Sequence, residues 1–405
     1  MSRILFCWEL GGGYGHISGF LPIAIELRKR GHEVIFAIRE LTHAENILGK
    51  YGFRYLQTPI WQAKLKAATP AVNYAEILFS EGWLSQTGLG AQVKAWRELI
   101  GLLDPDLLII DHGPTVLLAT RDRMIPRAMI GSGFFCPPRV SPLPSIRPEA
   151  KPTREHLLAA ERKAMTIANA VLGTLRLPML QEFADIFAVD ETFLSTFPEL
   201  DHYPERALPK YYGPVISLDE GESFAWPHGN TPKIFAYIKP GHGDFESIIE
   251  ALRGMPVRVV MHAPGLSEQM AEKYQSANVR VHRNPLSMAQ ATQECDVGIC
   301  HAGMGTVSAL LLAGRPILLL PTHQEQTLVA HCVVALGCGI LVSPQAKYGI
   351  PQYRKTIKRL LDPQLTASTR EFASKYTDYD YKNNTEIIAS RCEELLHPPP
   401  IETSF

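Results

Sequence analysis

The sequence predicts an α/β protein built from two doubly wound, Rossmann-like domains. Short apolar runs alternate with helical patterns along most of its 405 residues. Near-continuous apolar strands of this kind belong to parallel sheets covered on both faces. Glycine-bearing turns join strand to helix at two distant places, around Gly11 to Gly15 and around Gly303 to Gly305. The length suits two domains of ordinary size rather than one.

In chain order, Ile4 to Trp8 is a strand, Gly11-Gly12-Gly13-Tyr14-Gly15-His16 a glycine-rich loop, and Ile17 to Arg30 a helix. Phe20, Leu21, Ala24 and Leu27 recur at helical spacing and give that helix its buried face. Gly31 ends it, and Val34 to Ile38, Leu107 to Ile110 and Arg127 to Ile130 are the next strands. Six prolines between Pro137 and Pro152 exclude a helix interior or a central strand there and predict a long loop. Helix resumes over Thr153 to Ala170. A turn-rich stretch from Leu208 to Pro232 reads as the connection between domains. Ile234 to Ile238 is then a strand, Phe245 to Leu252 a helix, and Val257 to Met261 and Val279 to His282 strands of a second Rossmann-like domain. The tail from Lys382 to Leu396 is amphipathic, with Ile388, Cys392, Leu395 and Leu396 on one stripe. The expected division is 1–213, 214–381, and a closing helix and tail over 382–405.

Net charge is −1, which carries no nucleic-acid footprint. The seven cysteines are scattered and form no C-x-x-C pair, arguing against a zinc site or a disulfide framework and for a reducing cytoplasm. The chain opens on a strand rather than a signal sequence. Its longest apolar stretch, Ala309 to Leu320, is interrupted by Arg315 and is too short to span a bilayer. A peripheral membrane contact is left open, without a feature that supports it. Two Asp-x-Asp strings, Asp104-Pro105-Asp106 and Asp378-Tyr379-Asp380, lie before a strand and in the tail, not at strand ends, so neither is taken as a metal site.

The most informative segment runs from His301 to Gln326. It follows the strand Val297 to Cys300, crosses a turn at Gly303, Gly305 and Thr306, enters a helix from Val307 to Ala313, and continues through Gly314 into a strand from Ile317 to Leu320 that ends at Pro321. A helix N-terminus approached through small residues suits an anion such as a diphosphate, and glycine removes side chains that would hold a phosphate away. A merely tight βα turn accounts for the same spacing equally well.

His301, G-x-G-T, Gly314-x-Pro316 and Pro321-x-x-x-Glu325-Gln326, in that order and spacing, resemble the donor-binding signature of GT-B fold glycosyltransferases. The likeness is to the family of plant and macrolide glycosyltransferases, with some likeness to the lipid II-forming N-acetylglucosaminyltransferases. The resemblance implies two Rossmann-like domains facing a cleft, the first for the acceptor and the second for a nucleotide-sugar donor, with the last helix crossing back to the first domain. It assigns the donor to Gly13, Arg283, His301, Gly303, Met304, Gly305, Thr306, Glu325 and Gln326, the last two meeting sugar hydroxyls. It needs no cofactor and no metal beyond the nucleotide-diphosphate sugar itself.

His16 follows Gly15 before a helix, where a lone histidine is more often structural. Here Gly15-His16 and Arg30-Gly31-His32 reproduce the family's spacing, and the resemblance makes His16 the general base that deprotonates an acceptor hydroxyl, a task suited to imidazole. Asp111, at the end of its strand, matches the aspartate that pairs with that histidine; a turn-capping aspartate is the other reading. The chain departs from the pattern at Gly19, where the family has proline. It departs again at Ala309, where uridine-diphosphate enzymes often carry a ribose-binding glutamate. Arg283 and Leu286 stand in place of the base-stacking tryptophan and of a glutamine, so UDP and dTDP both remain open. Trp61, Tyr74, Phe79, Trp83, Trp96, Phe134 and Phe135 would suit a small apolar or aromatic acceptor if they lined a site, although aromatics more often fill cores.

The sequence thus reads as an inverting glycosyltransferase. A nucleotide-sugar epimerase or hydrolase of the same fold, and a non-catalytic nucleotide-sugar-binding subunit, are the competing readings.

Overall fold

The computed structural model describes residues 1–42, 44–62, 70–216, 221–343 and 345–397. Two six-stranded, all-parallel sheets organise it. The first contains β1 (Arg3–Trp8), β2 (Glu33–Ile38), β3 (Arg54–Gln57), β4 (Leu107–Asp111), β5 (Arg127–Gly131) and β6 (Glu191–Leu194), in the spatial order β3-β2-β1-β4-β5-β6. The second contains β7 (Lys233–Tyr237), β8 (Arg258–His262), β9 (Val279–His282), β10 (Val297–Cys300), β11 (Ile317–Leu319) and β12 (Gly339–Leu341), in the order β12-β11-β10-β7-β8-β9. Each chain path starts in the middle, runs to one edge, then returns to the middle and runs to the other. The switch points lie between β1 and β4 and between β7 and β10, the crevices where ligands bind in open α/β sheets.

The chain divides into two compact units, Met1–Val215 with the segment from Tyr381 onward, and Ile216–Asp380. In the first, alternation along β1 sends Leu5 and Cys7 to one face and Ile4, Phe6 and Trp8 to the other, each against its own helix layer. Tyr14–Lys29 and the closing helix Tyr381–Leu396 cover the second of these faces, where Ile388, Ala389 and Cys392 are buried. Arg30 at the end of the former helix reaches Glu393 at 2.8 Å and the Ser390 hydroxyl at 2.9 Å, so an apolar stripe and a polar rim hold the tail helix to this unit.

The core of the second unit gathers Ile234, Ala236, Val259, Met261, Ile299 and Leu318 from four neighbouring strands, with Val279 from a fifth, beneath Phe245–Arg253 and Ile350–Leu360. The proline-rich stretch forms a loop with a short 3₁₀ turn at Pro148–Ala150. One boundary differs from expectation in a way that bears on the site. The helix after β10 begins at Met304 rather than Val307. Gly305 and Thr306 therefore belong to its first turn, where glycine's poor helix propensity costs little because the N–H groups have no intrahelical partner anyway. Among the described residues no helix is long and apolar enough to cross a membrane.

Candidate functional site

The first switch point is built from two strand ends in register. Trp8 closes β1 directly opposite Asp111, which closes β4. After Trp8 the chain turns through Gly11 (φ 85°) and Gly13 (φ 97°) into the helix that carries His16. His16 and Asp111 are brought together: Nδ1 lies 2.5 Å from the Asp111 Oδ2, and both side chains are almost buried. The ring stacks on Trp8 at 4.9 Å and meets Phe135 at 4.9 Å, which leaves it one orientation. A carboxylate on Nδ1 requires the proton there, so Nε2 carries the lone pair. Nε2 points past Gly11, where a Cβ would stand only 2.6 Å from it.

Two groups in this crevice, Glu9 and His112, carried no usable sequence signal, and a third, Phe135, was named only among the aromatics. Glu9, 2% exposed, turns its carboxylate onto the backbone N–H groups of Thr115 and Val116 at 2.9 and 3.1 Å, tying the β1 loop to the segment after β4. Burial pushes its pKa up to about 7 against the opposing pull of those hydrogen bonds. His112 follows Asp111 in a left-handed conformation (φ 45°). Both its ring nitrogens are buried without a partner among the described residues, and burial holds its pKa well below the ordinary value. Phe135 stands against both His16 and His112. Of the other aromatics named from sequence, Tyr74, Trp83 and Trp96 are core residues, Phe79 packs against that core, and Trp61 lies over Gly82 and Gly88. Phe134 packs edge-on to Phe135 and His112.

The second switch point has a parallel construction. His301 follows β10 directly, and Ala302 after it is left-handed (φ 62°), a costly conformation for a residue with a Cβ and one that clusters at functional turns. Gly303 caps Met304–Leu312 with no side-chain hydrogen bond and no acidic residue in the first turn. A Cβ at Gly303 or Gly305 would meet nothing within 4 Å, so the approach to these N–H groups is open. Ala309, at the place of the family's ribose-binding glutamate, is buried in the same helix.

His301 itself is fully engaged by main chain. The Lys239 N–H donates to Nε2 at 2.8 Å, and Nδ1 donates to the Leu320 carbonyl at 2.9 Å. Burial lowers its pKa to about 4. In this arrangement the ring has no N–H left for a phosphate; it ties together the chain beyond β7, β10 and β11. Glu325 and Gln326 lie in the first turn of Gln324–Ala335, just beyond β11. Glu325 is 7% exposed, and the Gln326 side-chain carbonyl accepts from the Thr322 backbone N–H (2.9 Å) and hydroxyl (3.0 Å). Arg283 is exposed beyond the edge strand β9, its Nε bound to the Leu266 carbonyl at 2.8 Å. Gly13 lies in the first unit, at the start of the helix carrying His16, apart in sequence and unit from the other donor candidates.

One further residue of this switch point escaped the sequence reading. His242 lies in the Lys239-Pro240-Gly241-His242-Gly243-Asp244 loop after β7, its ring 5.6 Å from that of His301. The signal available was a histidine between two glycines directly after a strand.

Residues 253–384 match the model of the glycosyltransferase family 28 C-terminal domain. A PGL/p-HBAD biosynthesis glycosyltransferase of Mycobacterium tuberculosis is 24% identical over 274 residues, 62% of this chain and 62% of that protein. The match thus spans less than two thirds of that relative's length. A zeaxanthin glucosyltransferase of Pseudescherichia vulneris is 23% identical over 362 residues, 82% of this chain and 85% of that protein. Among solved structures, the calicheamicin glycosyltransferase CalG4 superposes with a TM-score of 0.75 at 18% identity, covering 98% of this chain and 99% of that one. Two switch-point crevices on two parallel sheets, a whole-length structural likeness and the matched domain together identify a GT-B fold chain whose residues 253–384 match the glycosyltransferase family 28 C-terminal domain.

Proposed function

We propose that this chain is an inverting glycosyltransferase that moves a sugar from a nucleoside-diphosphate sugar to a hydroxyl group. The observation that carries this reading is the His16–Asp111 contact at the first switch point. Asp111 fixes the tautomer and stabilises the imidazolium that forms, as in any His–Asp pair. His16 Nε2 takes the acceptor's hydroxyl proton as that oxygen bonds to the anomeric carbon. The bond from the anomeric carbon to the diphosphate breaks on the opposite face, and the nucleoside diphosphate leaves with the bonding electrons.

The donor half of the reading rests on the second unit. Open, uncapped N–H groups at the start of Met304–Leu312 meet the diphosphate, and Glu325 with Gln326 meets the sugar. Charge stabilisation of this kind requires no divalent metal. The donor nucleotide is UDP or dTDP, and the acceptor is a small apolar or aromatic hydroxyl compound, suited to Phe135 beside His16, which Phe134 backs from the core.

The test is a transfer assay with UDP- and dTDP-sugars and a panel of aromatic and apolar alcohols. The product's anomeric configuration is read by NMR, with and without chelator. Transfer with inverted configuration, undiminished by chelation, is expected. Retention of configuration would overturn the mechanism. Loss of activity on chelation with recovery on magnesium or manganese would overturn the metal-free leaving-group assignment. Turnover of the sugar nucleotide without any acceptor would favour an epimerase or hydrolase.

A further inference from the structure

We infer that His242 is a diphosphate-binding residue, supplying the imidazole N–H that His301 cannot; this rests on the donor-site reading above. The Asp244 backbone N–H donates to His242 Nδ1 at 3.2 Å. That contact puts the ring proton on Nε2, which has no hydrogen-bond partner among the described residues. The half-buried ring therefore presents a donor at the carboxyl end of β7, beside His301 and on the β7 side of the switch point.

Gly241 and Gly243 flank it, and a Cβ at either would meet nothing within 4 Å, so neither flanking position crowds the loop. The titratable and charged groups nearby are Asp244 on its own loop, which Tyr353 of Ile350–Leu360 holds at 2.6 Å, Lys239 at the start of the loop, and His301 across the switch point. Burial lowers the His242 pKa, so the ring is a neutral donor whose N–H costs little to desolvate when an anion arrives.

The division of labour follows from the two rings. His301 has both nitrogens bound to main chain and sets the spacing of the strand ends. His242 has one nitrogen anchored and one offered. A hydrogen bond to a charged partner is the stronger kind, and losing it falls on the ligand that carries the charge.

The experiment is calorimetric titration of the full chain and of His242→Ala and His242→Phe with UDP and dTDP, and with UMP and dTMP as controls. Phenylalanine keeps the ring volume without the N–H, so it carries the test if the alanine variant fails to fold. Either variant should raise the diphosphate Kd by about tenfold or more while monophosphate affinity changes far less. His242→Gln, which keeps an N–H donor, should recover part of the loss. Unchanged diphosphate affinity, or equal losses for mono- and diphosphates, would overturn the assignment of His242 alone. A wild-type chain that binds neither UDP nor dTDP would overturn the donor-site reading, and this inference with it.

Discussion

At the scale of single residues, the proposed chemistry depends on what is missing as much as on what is present. Gly11 keeps the space in front of His16 Nε2 clear: a Cβ would lie 2.6 Å away, and φ is 85°. Gly11→Ala therefore adds backbone strain of about 1–3 kcal/mol and displaces the imidazole. We predict that it lowers turnover sharply in a folded protein while the Kd for nucleoside diphosphate, which concerns the other unit, stays near wild type. Near-normal kcat in Gly11→Ala would mean that Nε2 does not face the acceptor. His16 and Asp111 stood out in the sequence because the Gly15-His16 turn and the strand end at Asp111 resemble the family's pattern; their spacing alone left structural readings open. Glu9 and His112 did not, and Phe135 was one of seven aromatics that the sequence could not sort, because their places come from packing between distant segments, which no local pattern records. His301 is a middle case. Its position was readable, but its two main-chain hydrogen bonds depend on how β7 and β11 end beside it.

At the scale of elements, the proposed donor site makes the helix Met304–Leu312 the anion-binding device and assigns phosphate recognition to its first turn. A valine at position 305 would project its branched side chain into the open approach. Gly305→Val is expected to raise the Kd for UDP or dTDP, read by calorimetry; unchanged affinity in a folded variant would remove the phosphate from this turn. The next helix, Gln324–Ala335, should select the sugar. Buried polar groups discriminate by being left unpaired when the ligand changes, so Glu325→Ala should weaken binding of the sugar nucleotide and leave the free nucleoside diphosphate almost untouched. Equal losses for both would contradict this. The central strands were readable as apolar runs between turns. The edge strands β3, β6 and β12 were not, because four or three residues are too few to give a periodicity to detect. The early start of Met304–Leu312 was hidden for a related reason, since a glycine at the cap and another in the first turn resemble a loop.

At the scale of the whole molecule, the same burial that orients these rings sets the response to pH. Burial lowers the pKa values of His202, His262 and His301 from 6.5 to about 4, and that of His112 well below its ordinary value. A base with a depressed folded pKa stabilises the fold above its unfolded pKa. As pH falls from about 6.5 through 4, the unfolded chain takes up protons that the folded chain refuses, and stability drops. Glu9 works in the opposite sense: raised from 4.5 to about 7, it favours the fold below 4.5 and loses that contribution as pH rises toward 7. Four histidines outweigh one glutamate, so the unfolding free energy should fall from pH 6.5 to 4, read from denaturant melts across that range. A flat or rising profile would show that these rings are not buried neutral. The doubly wound architecture and both switch-point turns were legible in the sequence, because strand-turn-helix spacing reports them directly. The tail helix shows why other features were not: its apolar stripe announced a buried face, while the partner for that face, Tyr14–Lys29, lies some 360 residues away in the chain.

The measurement that bears most directly on the central claim is the kinetics of His16→Ala, Asp111→Asn and the double variant, alongside donor affinity for each. A positioned general base contributes about 10²–10⁴-fold to the rate. His16→Ala should lose kcat within that range while binding UDP or dTDP as the wild type does. Asp111→Asn should lose in the same direction, and the double variant should be little slower than His16→Ala, since the pair acts as one unit. Near-normal turnover by His16→Ala, or losses that multiply in the double variant, would contradict the assignment of the His16–Asp111 pair as the base.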